Sequence, residues 1–231
     1  MKQRQHRHSG PYDPQRHTFA VTHIRLEAAN AGKLAALDDL AQVYQPLCQQ
    51  YVTLFCTDEH PDKFHAPVFV TPLSERWHRV AIQQAAGLAQ SWRTNRAQAY
   101  QDYLDDLLGY HEQLADGTLD AQAEEPTWKE WDVPTLHQTC IQANVNVAVL
   151  EPAQDSTFDY WLTISTLAFR KVLRLPVKLA AYHREALAGK TINTSVTLNK
   201  RGDGWWLTLS YDKVITVQTR PDAPVVGVDV G

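Results

Sequence analysis

The sequence predicts an α+β chain in which a long helical block interrupts a β unit and the first strand of an α/β domain follows. Three observations carry this. The hydrophobic period changes from alternation to three-or-four after about residue 30, and returns to alternation after about Pro152. Thr191–Leu198 and Trp205–Tyr211 flank a glycine-containing tip, Asn199–Gly204, as the arms of a β-hairpin do. The stretch 224–231 (PVVGVDVG) sets four valines around Gly227 and Asp229, after a proline that disfavours helix at the residue before it.

Composition agrees with a folded chain. Of 231 residues, 44% are apolar and 10% aromatic, enough for a real core, while the net charge of −4 names no partner. The charge is unevenly placed. Residues 98–132 hold ten acids and one base, Lys129, whereas residues 170–201 hold eight Lys/Arg and one acid, Glu185. Such polarity points to separate surfaces, of which the basic one suits phosphate backbones. Cys48, Cys56 and Cys140 are an odd count without a disulfide framework, so a reducing, cytoplasmic setting is expected. No apolar run approaches the roughly 18 residues of a membrane span. Met1–His17 is basic and polar without an apolar core, hence no secretory signal; it reads as a flexible basic arm or an inert tail.

In chain order, Thr18–Leu26 is the first strand. Phe19 and Val21 have one parity and Ile24 and Leu26 the other, so a bulge between the pairs is expected. Leu34, Leu37, Leu40, Tyr44, Leu47, Tyr51 and Leu54 mark an amphipathic helix that Pro46 should kink or break. Cys48, Cys56, His60 and His65 match no common zinc-finger spacing. No zinc site is assigned, and Cys48 reads as a core residue. Thr71-Pro72-Leu73-Ser74 opens a second helix whose face includes Trp77, Ala81, Ala85, Leu88 and Trp92. Gly87 and Gly109 weaken that pattern and suggest two helices. Arg76, Arg79, Arg93 and Arg96 lie off that face, as a solvated surface or a nucleic-acid contact.

Asp116–Asp132 reads as an exposed acidic loop. Leu136, Cys140, Ala143 and Val147, entered through Pro134, suggest a third helix. Strands follow at Phe158–Leu167 and Lys171–Val177, then a short helix, Leu179–Leu187, ended by Gly189. Trp205 and Trp206 differ in parity, so one should face the core and the other outward, where its ring is either buried against a barrel or the helical block or left to stack on a base. His183 reads as an ordinary surface residue rather than a catalyst.

The order of parts, the hairpin Thr191–Tyr211 with its turn at 200–205 (KRGDGW), and the terminal 226–231 motif (VGVDVG) together resemble the front half of a TnpB-like (OrfB-type) transposon protein. These are RNA-guided nucleases related to type V CRISPR effectors. The resemblance spans residues 18–231 in order of parts, and only the last 40 or so residues match at motif level. It implies a wedge-like β-barrel interrupted by a helical recognition block and followed by a RuvC-like (RNase H-like) domain. The divisions expected are a basic arm (1–17), the first wedge strand (18–29), the helical block (30–150), the remaining wedge (151–220) and the nuclease start (221–231).

The same resemblance makes Asp229 the first catalytic carboxylate and a ligand of Mg²⁺ in a two-metal site for phosphodiester hydrolysis. It also implies guide RNA on the wedge through Arg170, Lys171, Arg174, Lys178, Arg184, Lys190, Lys200 and Arg201, and target DNA near Arg76, Arg79, Arg93 and Arg96. One carboxylate cannot hold two metals in register, so this chain alone is not expected to cut DNA. A strand-end aspartate that only caps or solvates is the plainer alternative for Asp229. Two other function classes remain open: a non-catalytic interaction module docking through the acidic segment, and the start of an actin-like sugar kinase or ATPase, which opens with a similar strand.

Overall fold

A computed structural model describes residues 15–216 apart from Asp58, Ala121, Phe169 and Asp203. The 224–231 strand with Asp229, and the greater part of the basic arm, lie outside the described residues. The described chain is α+β. Its elements are β1 (Gln15–Arg25), α1 (Ala31–Phe55), α2 (Glu75–Ala115), β2 (Cys140–Ala143), β3 (Ala148–Pro152), β4 (Tyr160–Ser165), β5 (Val172–Val177), α3 (Ala181–Leu187), β6 (Ile192–Arg201) and β7 (Gly204–Thr216).

The first strand reaches across the helices. β1 pairs antiparallel with β7 from Gln15↔Thr216 to Arg25↔Trp206, and the register is unbroken, so the bulge expected in β1 is absent. Phe19 and Val21 sit on the outer face, 67% and 57% exposed, while Thr22, Ile24 and Leu26 point inward. Only one of the two apolar parities was ever a core parity. β6 and β7 form the expected hairpin, with Gly202 at φ 49° in its tip. β4 and β5 form a second hairpin.

The strands do not close into a barrel among the described residues. They form a four-stranded sheet, β1-β7-β6-β2, and a three-stranded sheet, β3-β4-β5. The physical reason is local. β6 keeps its ladder to β7 through a register shift between Ile192 and Val196, and a cleft of about 300 Å³ lies between Ile192–Thr194 and β3 where a ladder would be needed.

The helical block also ends earlier than the sequence suggests. Cys140–Ala143 is a strand paired with β6, not a third helix. Leu136, Cys140, Ala143 and Val147 have helical spacing, but side-chain amides of α1 claim the backbone before it can coil. Gln49 Nε2 donates to the Pro134 carbonyl (3.0 Å) and its Oε1 accepts from Leu136 N–H (2.8 Å). Gln45 donates to the Leu136 carbonyl at 2.6 Å and accepts from the Thr139 hydroxyl at 2.9 Å. These bonds tie 134–139 to α1 without a helix and deliver the chain to the sheet at Cys140.

Both long helices run through the residues expected to interrupt them. α1 remains one 25-residue helix with Pro46 inside. Proline removes the bond that the Gln42 carbonyl would accept, a defect that costs about 3 kcal/mol in an isolated helix. Tyr44, Leu47, Cys48 and Tyr51, all buried, pack on both sides of it and keep the axis continuous. α2 is one 41-residue helix through Gly87 and Gly109, about 60 Å long at 1.5 Å per residue.

The core forms where α1 and the first half of α2 lie on the sheets, around Trp77, Tyr44, Tyr51, Ile141, Leu162 and Leu207. Buried Gln84 joins three elements. Its Oε1 accepts from the Tyr44 hydroxyl (2.9 Å) and Gln142 N–H (3.1 Å), and its Nε2 donates to the Cys140 carbonyl (3.0 Å). Burial along α2 stops at Ala89. Beyond it the acidic segment is the largely exposed loop that the sequence leads one to expect, and it lies back along the helix. Trp128 meets the rings of Tyr100 and Tyr103 at 5.0 and 5.9 Å, the Asp132 carbonyl accepts from Trp92 Nε1 (3.0 Å), and Glu130 pairs with Arg96.

Candidate nucleic-acid interface

The eight basic residues of 170–201 do not share one surface. Arg170 and Lys171 occupy the turn between β4 and β5. Thr166 closes that turn: its amide and hydroxyl donate to the Lys171 carbonyl at 3.2 and 3.0 Å, and Arg170 takes a left-handed φ of 57°. Arg174, two residues into β5 from Val172, extends its guanidinium over the Trp161 ring at 4.4 Å. Lys33 of α1 lies over the same ring at 5.6 Å. Val172 and Arg174 share one parity of β5, so the outward side of this sheet carries Arg174 on from the basic turn, with exposed Val172 between them.

The other members are elsewhere or already partnered. Arg184 makes a two-pronged contact with Asp159 (Nε–Oδ1 2.7 Å, Nη2–Oδ2 3.1 Å), and Asp159 also accepts from Leu179 N–H at 2.8 Å. The Arg184 hydrogen bonds hold the Asp159 carboxyl below the usual carboxylate range, with smaller help from the Leu179 amide and the Lys178 charge. Lys200 is ion-paired with Asp38 at 2.5 Å, and the same Asp38 oxygen accepts from buried Trp205 Nε1 at 3.0 Å. Arg201 lies over Trp206 at 5.7 Å. Lys190 borders the β3–β6 cleft. Trp205 is the tryptophan that faces the core, and Trp206 is half-buried.

The four arginines of α2 separate as well. Arg79 pairs with Glu75 (2.5 Å), Arg93 donates to the Phe55 carbonyl at the end of α1, and Arg96 pairs with Glu130 (2.6 Å). Arg76, in the first turn, makes no ion pair among the described residues. Instead it borders a cleft of about 520 Å³ between the start of α2 and the β4–β5 turn, together with Ser74, Thr166, Leu167, Arg170 and Lys171. Two sets that sequence assigned to different partners thus meet here through Arg76, Arg170 and Lys171. No described residue lining the cleft is a carboxylate. Glu75, next along the helix, is occupied by Arg79.

Trp161 and Lys33 belong to this surface and were missed as site residues. The signal was present only as parity, since Trp161 and Thr163 alternate with buried Leu162 and Ile164 along β4.

His183 is buried, 4% exposed, rather than a surface residue. Its Nδ1 shares a 2.7 Å hydrogen bond with the Thr22 hydroxyl, tying α3 to β1. Burial first, and the nearby His23 second, lower its pKa. Cys48 is a core residue, and burial pushes its thiol up to about 12. Among the described residues no group of three or more His, Cys, Asp or Glu is placed to hold a metal ion. Nor, among them, is any helix long and apolar enough to cross a membrane. No family model matches the chain, and no curated protein matches it significantly.

Proposed function

We propose that this chain is the nucleic-acid-binding front half of a TnpB-like RNA-guided DNA endonuclease, its split β unit being the wedge and α1–α2 the recognition block. The observation that carries the reading is the basic edge of Arg170, Lys171 and Arg174, set beside Trp161 and joined by Arg76 from the helices. Cations on fixed backbone beside an aromatic ring suit a phosphate backbone with exposed bases. The pairing of β1 with β7 around the intervening helices supports the order of parts that the family has. In such a protein Asp229 supplies the first carboxylate for Mg²⁺, and residues 1–231 bind guide RNA and target DNA without cutting by themselves.

The test is filter binding of a stem-loop RNA across a salt series. Wild type is compared with Arg170, Lys171, Arg174 and Lys178 changed together to Ala. If about four cations reach phosphates, the wild-type slope of log K against log salt is roughly −3 to −4, and the variant's is much shallower. Equal slopes in the two proteins would sink the reading. They would favour a protein-docking module instead, for which the far half of α2 offers exposed Leu108 and Leu114, 60% and 55% accessible.

A further inference from the structure

We infer that the cleft between the first turn of α2 and the β4–β5 turn holds a single internal phosphodiester of a nucleic-acid strand, gripped from opposite sides by Arg76 and Lys171. The inference rests on the nucleic-acid reading above and assigns it a specific contact. Arg76 and Lys171 come from elements 95 positions apart, both border the cleft, and neither has an ion-pair partner among the described residues. They are like charges on a cleft whose described lining has no carboxylate, and an anion placed between them would offset their repulsion.

The surroundings suit phosphate. The guanidinium offers a planar fork to two oxygens and the ammonium a compact charge to a third. Pro72, Leu167 and Val172 line part of the wall, so the polar groups that can meet an anion there are few and placed. The hydroxyl of Ser74, at the start of α2, makes no cap bond to the helix and borders the cleft. The basic edge continues past the cleft along β5 to Arg174, so a strand seated there has a charged path onward. That continuity favours an internal phosphodiester over a terminal phosphate or free inorganic phosphate.

The experiment is a double-mutant cycle on the full chain with the same stem-loop RNA: Arg76→Ala, Lys171→Ala and the pair, each across a salt series. If one phosphate is shared, each single variant weakens binding roughly five- to tenfold near 0.1 M salt, with the slope shallower by about 0.7 to 0.9. The pair then does little more than either single, because the second cation has lost its shared anion. Arg76→Lys, which keeps the charge and the fold, regains part of the loss. Multiplying losses, with the slope reduced by about twice as much, would mean two separate phosphates and overturn the shared site. An unchanged affinity in Arg76→Ala, while the quadruple Ala variant still loses RNA, would remove the cleft and leave the nucleic-acid reading standing. Absence of RNA binding by wild type would remove both. A 5′-phosphorylated oligonucleotide that binds more tightly than its 5′-hydroxyl form only when Arg76 is present, or competition by millimolar inorganic phosphate, would overturn the internal assignment.

Discussion

Arg76 and Lys171 border a cleft with no described carboxylate, whereas Arg79, Arg96, Arg184 and Lys200 each end on one: Glu75, Glu130, Asp159 and Asp38. All six are surface cations, and by composition they are interchangeable. Their surroundings make them different. A cation that already shares a carboxylate must give up that contact before it can meet a phosphate, and little is gained by the exchange. Arg76 and Lys171 have no such ion pair to lose among the described residues. The useful charge of this chain is therefore smaller than its count of basic residues, and it is concentrated where helix and sheet meet.

The largest effect should separate the basic stretch at the β4–β5 turn and β5 from the carboxylate-paired cations. Changing Arg170, Lys171, Arg174 and Lys178 to Ala should weaken stem-loop RNA binding by at least about 30-fold near 0.1 M salt. Changing Arg79, Arg184 and Lys200 to Ala should alter it less than about threefold, although it removes nearly as much charge. Comparable losses in both variants would mean that net charge, and not placement, governs binding.

Much of the fold was legible in the sequence because it is written locally. The β6–β7 hairpin, the β4–β5 pair and the helix ended by Gly189 are all set by alternation and turn chemistry within some twenty residues. Cys140–Ala143 was not legible, because four residues are too few to fix a period and the deciding bonds come from Gln45 and Gln49, over 80 positions away. The site divides in the same way. Arg170, Lys171 and Arg174 could be picked out as a basic run, but the pairing of Arg184 with Asp159, or Lys200 with Asp38, depends on contacts 25 and 162 residues apart. Nothing in the spacing of Arg76, Arg79, Arg93 and Arg96 distinguishes the one that meets the turn.

The Asp159–Arg184 pair gives a pH signature of the partnered set. Asp159 titrates below its unfolded value, chiefly because Arg184 hydrogen-bonds its charged form. The unfolded chain therefore takes up a proton first as pH falls. The stability from this pair is full above the unfolded carboxylate value of about 3.9 and is lost as pH drops through the folded value. Asp159→Asn should lower the melting temperature at pH 7 and have little effect near pH 2. A constant difference across that range would show that Asp159 acts through shape and the Leu179 bond rather than through charge.

His183 and His78 should add a second, smaller dependence at higher pH. Burial lowers the pKa of both, so the folded state favours neutral rings and the unfolded state binds protons first. Stability should be full above an unfolded value of about 6.5 and fall as pH drops through the folded values. His78 is held by the Tyr51 and Thr71 hydroxyls, each at 3.0 Å, and His183 by Thr22. Changing His183 to Gln should flatten part of the decline in melting temperature between pH 7 and 5. If the decline keeps its full slope, His183 is not one of its sources.

The smallest effect distinguishes two ways of breaking one partnered contact. Asp38 accepts both from Lys200, at the surface, and from Trp205 Nε1, whose residue is 3% exposed. Lys200→Met removes a half-exposed ion pair and leaves the indole bonded, so it should cost less than about 1 kcal/mol. Asp38→Ala leaves the same lysine free to turn to water but strands the indole N–H in the core, a penalty of about 1–3 kcal/mol. Asp38→Asn keeps an acceptor for the indole and should fall between them. The order Lys200→Met, Asp38→Asn, Asp38→Ala in denaturant midpoint, with slopes unchanged, checks the assignment. If Lys200→Met were as costly as Asp38→Ala, the charge pair rather than the buried indole would hold β6 and β7 against α1.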